Sequence, residues 1–419
     1  MKKYKLGEIA DIITGPFGSQ LHASDYVEKG VPSIMPKDIG DRIVIHDTIA
    51  HITEEDAIRL SKYRVNLGDI VYSRRGDIER CALITETDVG ALCGTGCLRV
   101  RPDKDIVNSV FLSFYLSTPH IRKWVVDNAT GATMPNLNSD ILKKLPVELP
   151  DLKEQCRIAN DLQTIDDKIN NNSKLITTLE SIAKTLYDYW FVQFDFPDEN
   201  GHPYKTSGGK MEWNETLSRE IPAGWEVGQV SDLGEVVAGG TPSTEHPDYF
   251  TSDGIAWITP KDMSLLDGKY IFHGATDISE EGLKNSSAKL MPAGSVVYTT
   301  RAPIGYVAIA GNDVCTNQGF KSVVPKENFG TEFVYYTLKS LEVHFKNVGN
   351  GSTFSEVSKE NFSTVPICIP KVEVIRGFMD AVDRLSNMQK KAQLENRKLN
   401  YLKEFLLPML MNGQVHCIN

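Results

Sequence analysis

The sequence predicts an α+β fold: two similar mixed α/β domains separated by two long antiparallel coiled-coil helices, arranged as a pseudo-two-fold internal repeat. Three observations predict it. The stretch GDIVYSRRGDIERCALI at residues 68–84 is written again as GSVVYTTRAPIGYVAIA at residues 294–310, 226 residues later. A repeat at that distance is a duplicated domain, because solenoid units recur every ~20–50 residues. Each copy is followed by a long run whose apolar positions are spaced alternately four and three apart, the mark of a coiled-coil seam. The chain's 419 residues also exceed one ordinary core and suit two domains, each able to bury enough apolar surface to fold.

The first domain covers residues 1–150 and the second residues 223–370. LGEIADIITG at Leu6 pairs with LGEVVAGGTP at Leu233, and GVPSIMPKDI at Gly30 pairs with GIAWITPKDM at Gly254. The twenty residues 131–150 pair without a gap with 351–370. DIVYS, CALI, SVVYT and YVAIA are strand-like runs bounded by Gly and Pro, whereas VFLSFYLS and EFVYYTLKSLEVHF read as helices. The framework repeats while the loops TGPFGSQLHASD and AGGTPSTEHPD diverge, and loops on a fixed scaffold are where binding specificity resides.

A central spacer helix is expected at 151–197. Its seam holds Ile158, Leu162, Ile165, Ile169, Ile176, Leu179, Ala183 and Leu186. Asn172 fills the remaining seam position, where a lone Asn fixes register and pairing at some expense in stability. In the connector, 198–222, Asn200-Gly201 signals a turn, and Trp213, with Trp225 just beyond it, is expected to anchor against the second domain. The C-terminal spacer helix, 371–419, repeats the seam with Phe378, Val382, Leu385, Leu399, Leu402 and Leu406, interrupted by Gln389 and Asn396, and is expected to stop at Pro408. Each helix spans roughly 55 Å at 1.5 Å per residue. Packed on each other, the two form a rigid spacer with outer surface left for partner helices.

Composition narrows the function. A hydrophobic content of 41% and a charged content of 24% indicate a globular chain and argue against disorder. MKKYKLGEIADIITG has a basic start but no apolar core of a signal peptide, so a cytoplasmic location is expected. The seven cysteines are scattered and odd in number, which disfavours a disulfide framework. Cys93 and Cys97 lack a second pair at zinc spacing, and Cys93 aligns with Cys315, so they read as small buried residues and no metal is expected. Net charge is −10, with 19 basic and 20 acidic side chains in 1–150 and 10 and 17 in 223–370. Bulk charge therefore predicts no nucleic-acid binding; phosphate contacts would need local clusters or partner subunits.

Catalytic signatures are missing: there is no Walker A loop, G-x-S-x-G elbow, H-E-x-x-H, dinucleotide fingerprint or Asn-Pro-Pro-aromatic. Pro150-Asp151 followed by Asp166-Asp167-Lys168 fits a loose nuclease pattern, but on a helix Asp166 and Asp167 read as a solvated face. The nine histidines share no spacing with carboxylates. These features describe a binding protein.

The order domain, long helix, domain, long helix resembles the specificity (S) subunit of type I restriction-modification systems. The likeness rests on GGTPS at Gly239, TTRAPIGYVAIAGNDVCTNQGF from Thr299, the approach GSTFSEVSKENFSTVPICIP, and the connector FDFPDENGHPYKTSGGKMEWNETLSREIPAGWEV, and it covers essentially the whole chain. It implies that each domain recognises one half of a split, asymmetric sequence in double-stranded DNA. It also implies that the helices space the two domains and dock two modification (M) subunits, to which two restriction (R) subunits add. S-adenosylmethionine, ATP and Mg then belong to the partner subunits and none to this chain. The repeat would match the local dyad of the duplex, and the divergent loops would make the half-sites differ. Many relatives carry a Gln after Gly-x-Thr, where this chain has Met134 and Phe354.

Candidate DNA contacts follow from matched positions. Arg74 and Arg75, and Thr300 and Arg301, leave matched strands at the same place, where an Arg fork reaches phosphate or guanine. Lys37 and Lys261 occupy identical PKD turns, whose Lys and Asp serve either contact or turn shape. Ser19, Gln20, Thr241 and Ser243 offer donors and acceptors suited to base edges. Two alternatives stay open: a non-catalytic two-domain coiled-coil scaffold whose helices dimerise and whose globular units bind protein partners, and an enzyme with an unrecognised site.

Overall fold

The structure is a computed structural model that describes residues 1–17, 20–131, 135–301, 303–349 and 356–415. It separates into two compact units, Met1–Lys168 with Lys398–Asn419, and Ile169–Arg397.

In the first unit the strands Ala10–Thr14, Cys97–Pro102, Ile70–Ser73 and Cys81–Leu83 lie in that order in one antiparallel sheet. Tyr26–Val27, Ala50–Ile52, Val31–Ile34 and Leu92–Cys93 form a second sheet, whose last pair is parallel. The second unit repeats both orders. Gly234–Ala238, Lys321–Pro325, Val296–Tyr298 and Val307–Ala310 correspond to the first sheet, extended by Tyr270–Ile271. Phe250–Thr251, Thr276–Ile278, Ile255–Ile258 and Val314–Thr316 correspond to the second, again with a parallel last pair. The repeat therefore extends to pairing order. Ile70–Ser73 and Val296–Tyr298 are buried throughout, as expected of strands covered on both faces.

Each domain closes immediately before its long helix. Lys2–Lys5 pairs with Pro146–Leu149, and Glu226–Gln229 with Pro366–Ile369. Phe111, Phe114, Ile158, Leu162, Leu410 and Met411 share the first unit's core. Tyr187, Trp190, Phe191, Phe333, Tyr336 and Phe378 share the second's. The helix expected from EFVYYTLKSLEVHF divides at Leu341 into Thr331–Ser340 and Glu342–Gly349.

The first long helix is Leu152–Tyr187, continued by a π-helical turn at Asp188–Val192. Phe194, at φ +68, leaves helical geometry before the expected end at 197. The second runs through Val372–Met411 with Pro408 inside it, where the sequence reading expected a stop. Pro408 lacks the N–H of one helical bond, yet its fixed φ suits a helix and its carbonyl accepts from Asn412 N at 3.0 Å. Burial of Leu410 and Met411, 5% and 0% exposed, offsets the loss.

Seam residues Ile158, Leu162, Ile176, Leu179, Phe378 and Val382 are buried, and Ile165, Ile169, Leu186, Leu385, Leu399 and Leu406 half-buried. Leu402 is instead 42% exposed, beside the exposed Tyr401 and Phe405. Within the second unit Asn172 bonds Asn396, Gln389 Nε2 donates to the carbonyl of Ile176 at 3.4 Å, and Tyr187 meets Phe378 with ring centroids 5.9 Å apart. Ascending positions on one helix thus meet descending positions on the other. Within the first unit Asp166 is no solvated residue. It is 15% exposed and accepts from Arg42 and, at 2.6 Å, from Lys403 Nζ, because the helix packs where those cations converge.

The connector keeps one of its two expected anchors. Trp225 is 7% exposed, stacked on Phe196 at 5.1 Å, whereas Trp213 is 61% exposed. Trp213 sits in the Met211–Asn214 strand, which among the described residues pairs only with its hairpin partner Arg219–Pro222, and this two-stranded sheet leaves most of the ring open to water. Cys93, Cys97 and Cys315 are buried with free thiols, and burial pushes Cys93 and Cys315 up to about 12. Among the described residues no helix is long and apolar enough to cross a membrane, and no group of three or more His, Cys, Asp or Glu could hold a metal ion.

Candidate nucleic-acid interface

The strands Ile70–Ser73 and Val296–Tyr298 both run out into a segment held on two sides by backbone. Arg74 N donates to Gly96 O at 2.8 Å, and Arg74 O accepts from Leu137 N at 2.9 Å. In the second unit Thr300 N donates to Gly319 O at 2.8 Å, and Thr300 O accepts from Val357 N at 3.0 Å. The next residues bridge in the same way, Arg75 to Asn136 and Arg301 to Glu356. One backbone clamp therefore presents Arg75 and Arg301, both exposed.

Different side chains surround the two clamps. Arg74 is half-buried, donates Nε to Asn136 Oδ1 at 3.1 Å, and holds its guanidinium 5.8 Å from the centre of the Phe17 ring. Phe17 is 56% exposed. This is a cationic and aromatic rim, suited to phosphate, base edges and thymine methyl groups. In the second unit Thr241 donates to Gln318 Oε1, and Lys321 Nζ lies 3.9 Å from Glu356 Oε1. That rim mixes hydroxyl, amide and both signs of charge.

The other candidates are distributed unevenly. Thr300 is fully buried and its hydroxyl donates to Gly319 O at 3.3 Å, so it shapes the clamp and has no surface to offer a ligand. Gln20 is half-buried; its Oε1 accepts from Tyr63 OH at 2.9 Å and its carbonyl from Arg59 at 3.0 Å, which makes it a strut of the loop. Ser243 is exposed, and its hydroxyl accepts from Glu245 N at 3.3 Å. Lys37 and Lys261 are exposed on their turns, Lys37 donating to Thr48 O at 2.7 Å. The Asp of each PKD turn has the shaping role: Asp38 accepts from Met35 N at 2.9 Å and Asp262 from Thr259 N at 2.8 Å. Ser19, Met134 and Phe354 lie outside the described residues.

Sequence reasoning passed over Phe17, Asn136, Gln318 and Glu356. Two signals pointed to three of them, and none to Gln318. Phe17 is a large aromatic in a Gly-rich loop, and Asn136 and Glu356 occupy matched places in the gapless part of the repeat.

A family model described as the type I restriction modification DNA specificity domain matches residues 1–181 and 222–396, both copies with most of the helix after each. The chain belongs to this family. This specificity chain is 25% identical to the type I restriction enzyme HindI specificity subunit of Haemophilus influenzae, covering 99% of each. It is 37% identical over 207 residues, 47% of each chain, to the MjaIX specificity subunit of Methanocaldococcus jannaschii. Its fold is similar to the crystal structure of the type I restriction-modification S subunit from M. genitalium, with a TM-score of 0.64 at 15% identity, covering 98% of this chain and 95% of that one.

Proposed function

We propose that each unit reads one half of a bipartite, asymmetric DNA target, and that the long helices pair as an antiparallel coiled coil that spaces the halves and docks two methyltransferase subunits. The chain is a DNA specificity subunit, non-catalytic by itself. Two restriction subunits complete the complex, with S-adenosylmethionine, ATP and Mg on the partners, and the complex works in the cytoplasm.

The observation that carries this reading is the repeated clamp with unlike rims. Phe17, Arg74, Arg75 and Asn136 on one clamp, and Thr241, Gln318, Arg301 and Glu356 on the other, give one geometry two chemistries. An asymmetric target read by a pseudo-symmetric protein needs that combination. With ten excess negative charges overall, affinity must come from these local cations and from the partners. The seam contacts Asn172 to Asn396 and Ile176 to Gln389 support helix pairing, and the exposed Tyr401, Leu402 and Phe405 support docking on the outer face.

The test is co-expression with the M subunit. A complex of two M subunits and one S subunit is expected to methylate adenines at a split sequence. Replacing residues 1–150 by a relative's first domain is expected to change one half-site and leave the other. A change in both halves, or no methylating complex at all, rejects the reading and favours a protein-binding scaffold.

A further inference from the structure

Among the buried cations of each unit, one lies at a matched place. Arg42 is 8% exposed and Lys269 1%. The Arg42 carbonyl accepts from Leu83 N at 3.1 Å and the Lys269 carbonyl from Ile309 N at 2.7 Å, and Leu83 and Ile309 are matched positions of the repeat. Arg42 holds φ +63, a costly backbone state for a side-chain-bearing residue, which marks a constrained position. Both heads lie over matched rings on the domains' own helices. Arg42 Cζ is 3.2 Å from the centre of Phe114, and Lys269 Nζ is 5.4 Å from that of Tyr336.

Both cations then reach the long helix that follows their own domain. Arg42 Nη1 donates to Asp166, and Lys269 Nζ donates to Ser386 Oγ at 3.0 Å. Asp166 and Ser386 are matched too, at the offset that relates Pro150 to Pro370.

The neutralising carboxylate comes from different places. In the first unit it is Asp166 on the long helix, shared with Lys403 Nζ at 2.6 Å. In the second it is chiefly Glu332 on the domain itself, with Oε2 at 2.6 Å from Lys269 Nζ and Oε1 accepting from Tyr270 OH at 2.9 Å, while Glu180 Oε2 on the other long helix stands 3.9 Å from the same Nζ. The first domain has Val110 where the second has Glu332.

We propose that these groups are keys: positioning residues that match each recognition domain to its own stretch of long helix. The first domain carries a buried cation that only a carboxylate at the 166 position neutralises. The second brings its own carboxylate and asks the helix that follows it only for a hydroxyl. Seated on the second stretch, the first domain would bury Arg42 against Ser386, with no carboxylate on that stretch and only Glu180 of the other long helix, 3.9 Å from the present Lys269 Nζ, to oppose the charge. Seated on the first, the second domain would add Glu332 to the Asp166 carboxylate. Breaking a buried pair by removing one partner is strongly destabilising, so both wrong seatings are disfavoured.

The test is limited proteolysis of the full-length chain, which does not depend on the DNA reading. Asp166→Ser, giving the first unit the second unit's helix residue, is expected to raise cleavage of the first unit by at least about tenfold. Arg42→Met in that background is expected to restore most of the resistance, since it removes the buried cation, while Lys403, which shares Asp166, is 23% exposed and reaches water. Ser386→Ala is expected to change the second unit less than twofold or so, because Lys269 keeps Glu332. In a chimera with residues 1–150 placed over 223–370, Ser386→Asp is expected to protect the transplanted domain. Wild-type resistance of Asp166→Ser, no rescue by Arg42→Met, or no gain from Ser386→Asp overturns the keys. If rescue occurs while the complex with M subunits fails to methylate DNA, the DNA reading falls and the keys stand.

Discussion

Asn172 and Asn396 meet inside the second unit, 5% and 6% exposed, with Nδ2 of the first donating to Oδ1 of the second at 2.9 Å. Asn172 Nδ2 also reaches Glu395 Oε2 at 2.8 Å, and Asn396 Nδ2 reaches Ile169 O at 3.3 Å and Ser173 Oγ at 3.1 Å. An Asn in an apolar seam is retained where alternative registers must be rejected. Replacing Asn172 alone by Leu is expected to cost about 1–3 kcal/mol, because Asn396 loses a buried partner. The double change to Leu is expected to recover most of that and to permit other pairings. Calorimetry and light scattering check both.

Arg75→Ala and Arg301→Ala are each expected to weaken DNA binding by the assembled complex. If each is a phosphate contact, the slope of log K against log salt flattens by about one unit. Titrations at four or five salt concentrations decide it; unchanged affinity and slope in both variants remove these arginines from the interface.

The second unit is expected to lose stability in acid through Glu180. Burial raises its pKa, but Lys339 Nζ at 2.6 Å, Lys269 and the Tyr336 hydroxyl outweigh that and hold it below its ordinary 4.5. A carboxylate with a depressed folded-state value stabilises the fold fully above its unfolded value and loses that contribution as pH falls through the folded one. Glu180→Gln should therefore cost about 2 kcal/mol at neutral pH and progressively less below about pH 4. Denaturant midpoints of both proteins between pH 3 and 7 measure the convergence.

The helices are expected to act as a ruler. A heptad added to both, after Asn172 and after Ala392, preserves the seam and lengthens each helix by about 10 Å. That corresponds to about three base pairs at most, and DNA twist limits the accepted change to about one or two. Genome-wide mapping of methylated adenines in a host carrying the variant and its M subunit tests this. Undiminished methylation at the original spacing rejects the ruler and leaves the helices a docking role alone.

What was legible in the sequence is what local chemistry determines. Val, Ile and Tyr in IVYS and VVY make strands wherever they are covered on both faces, so the duplicated sheets followed from the repeat. Apolar residues spaced four and three apart make a helical stripe whatever it packs on, so both long helices and most of their buried face could be read. Tertiary structure alone decided which groups met across long separations. Asp166 looks solvated until Arg42, 124 residues away, is folded against it. Thr300 turned inward, Trp213 outward, and Pro408 was retained because Leu410 and Met411 reach a core built mainly from the other end of the chain. Periodicity depends on neighbours in the chain, whereas a buried charge, a rim or a tolerated proline depends on which distant surface arrives, and only the closed fold specifies that.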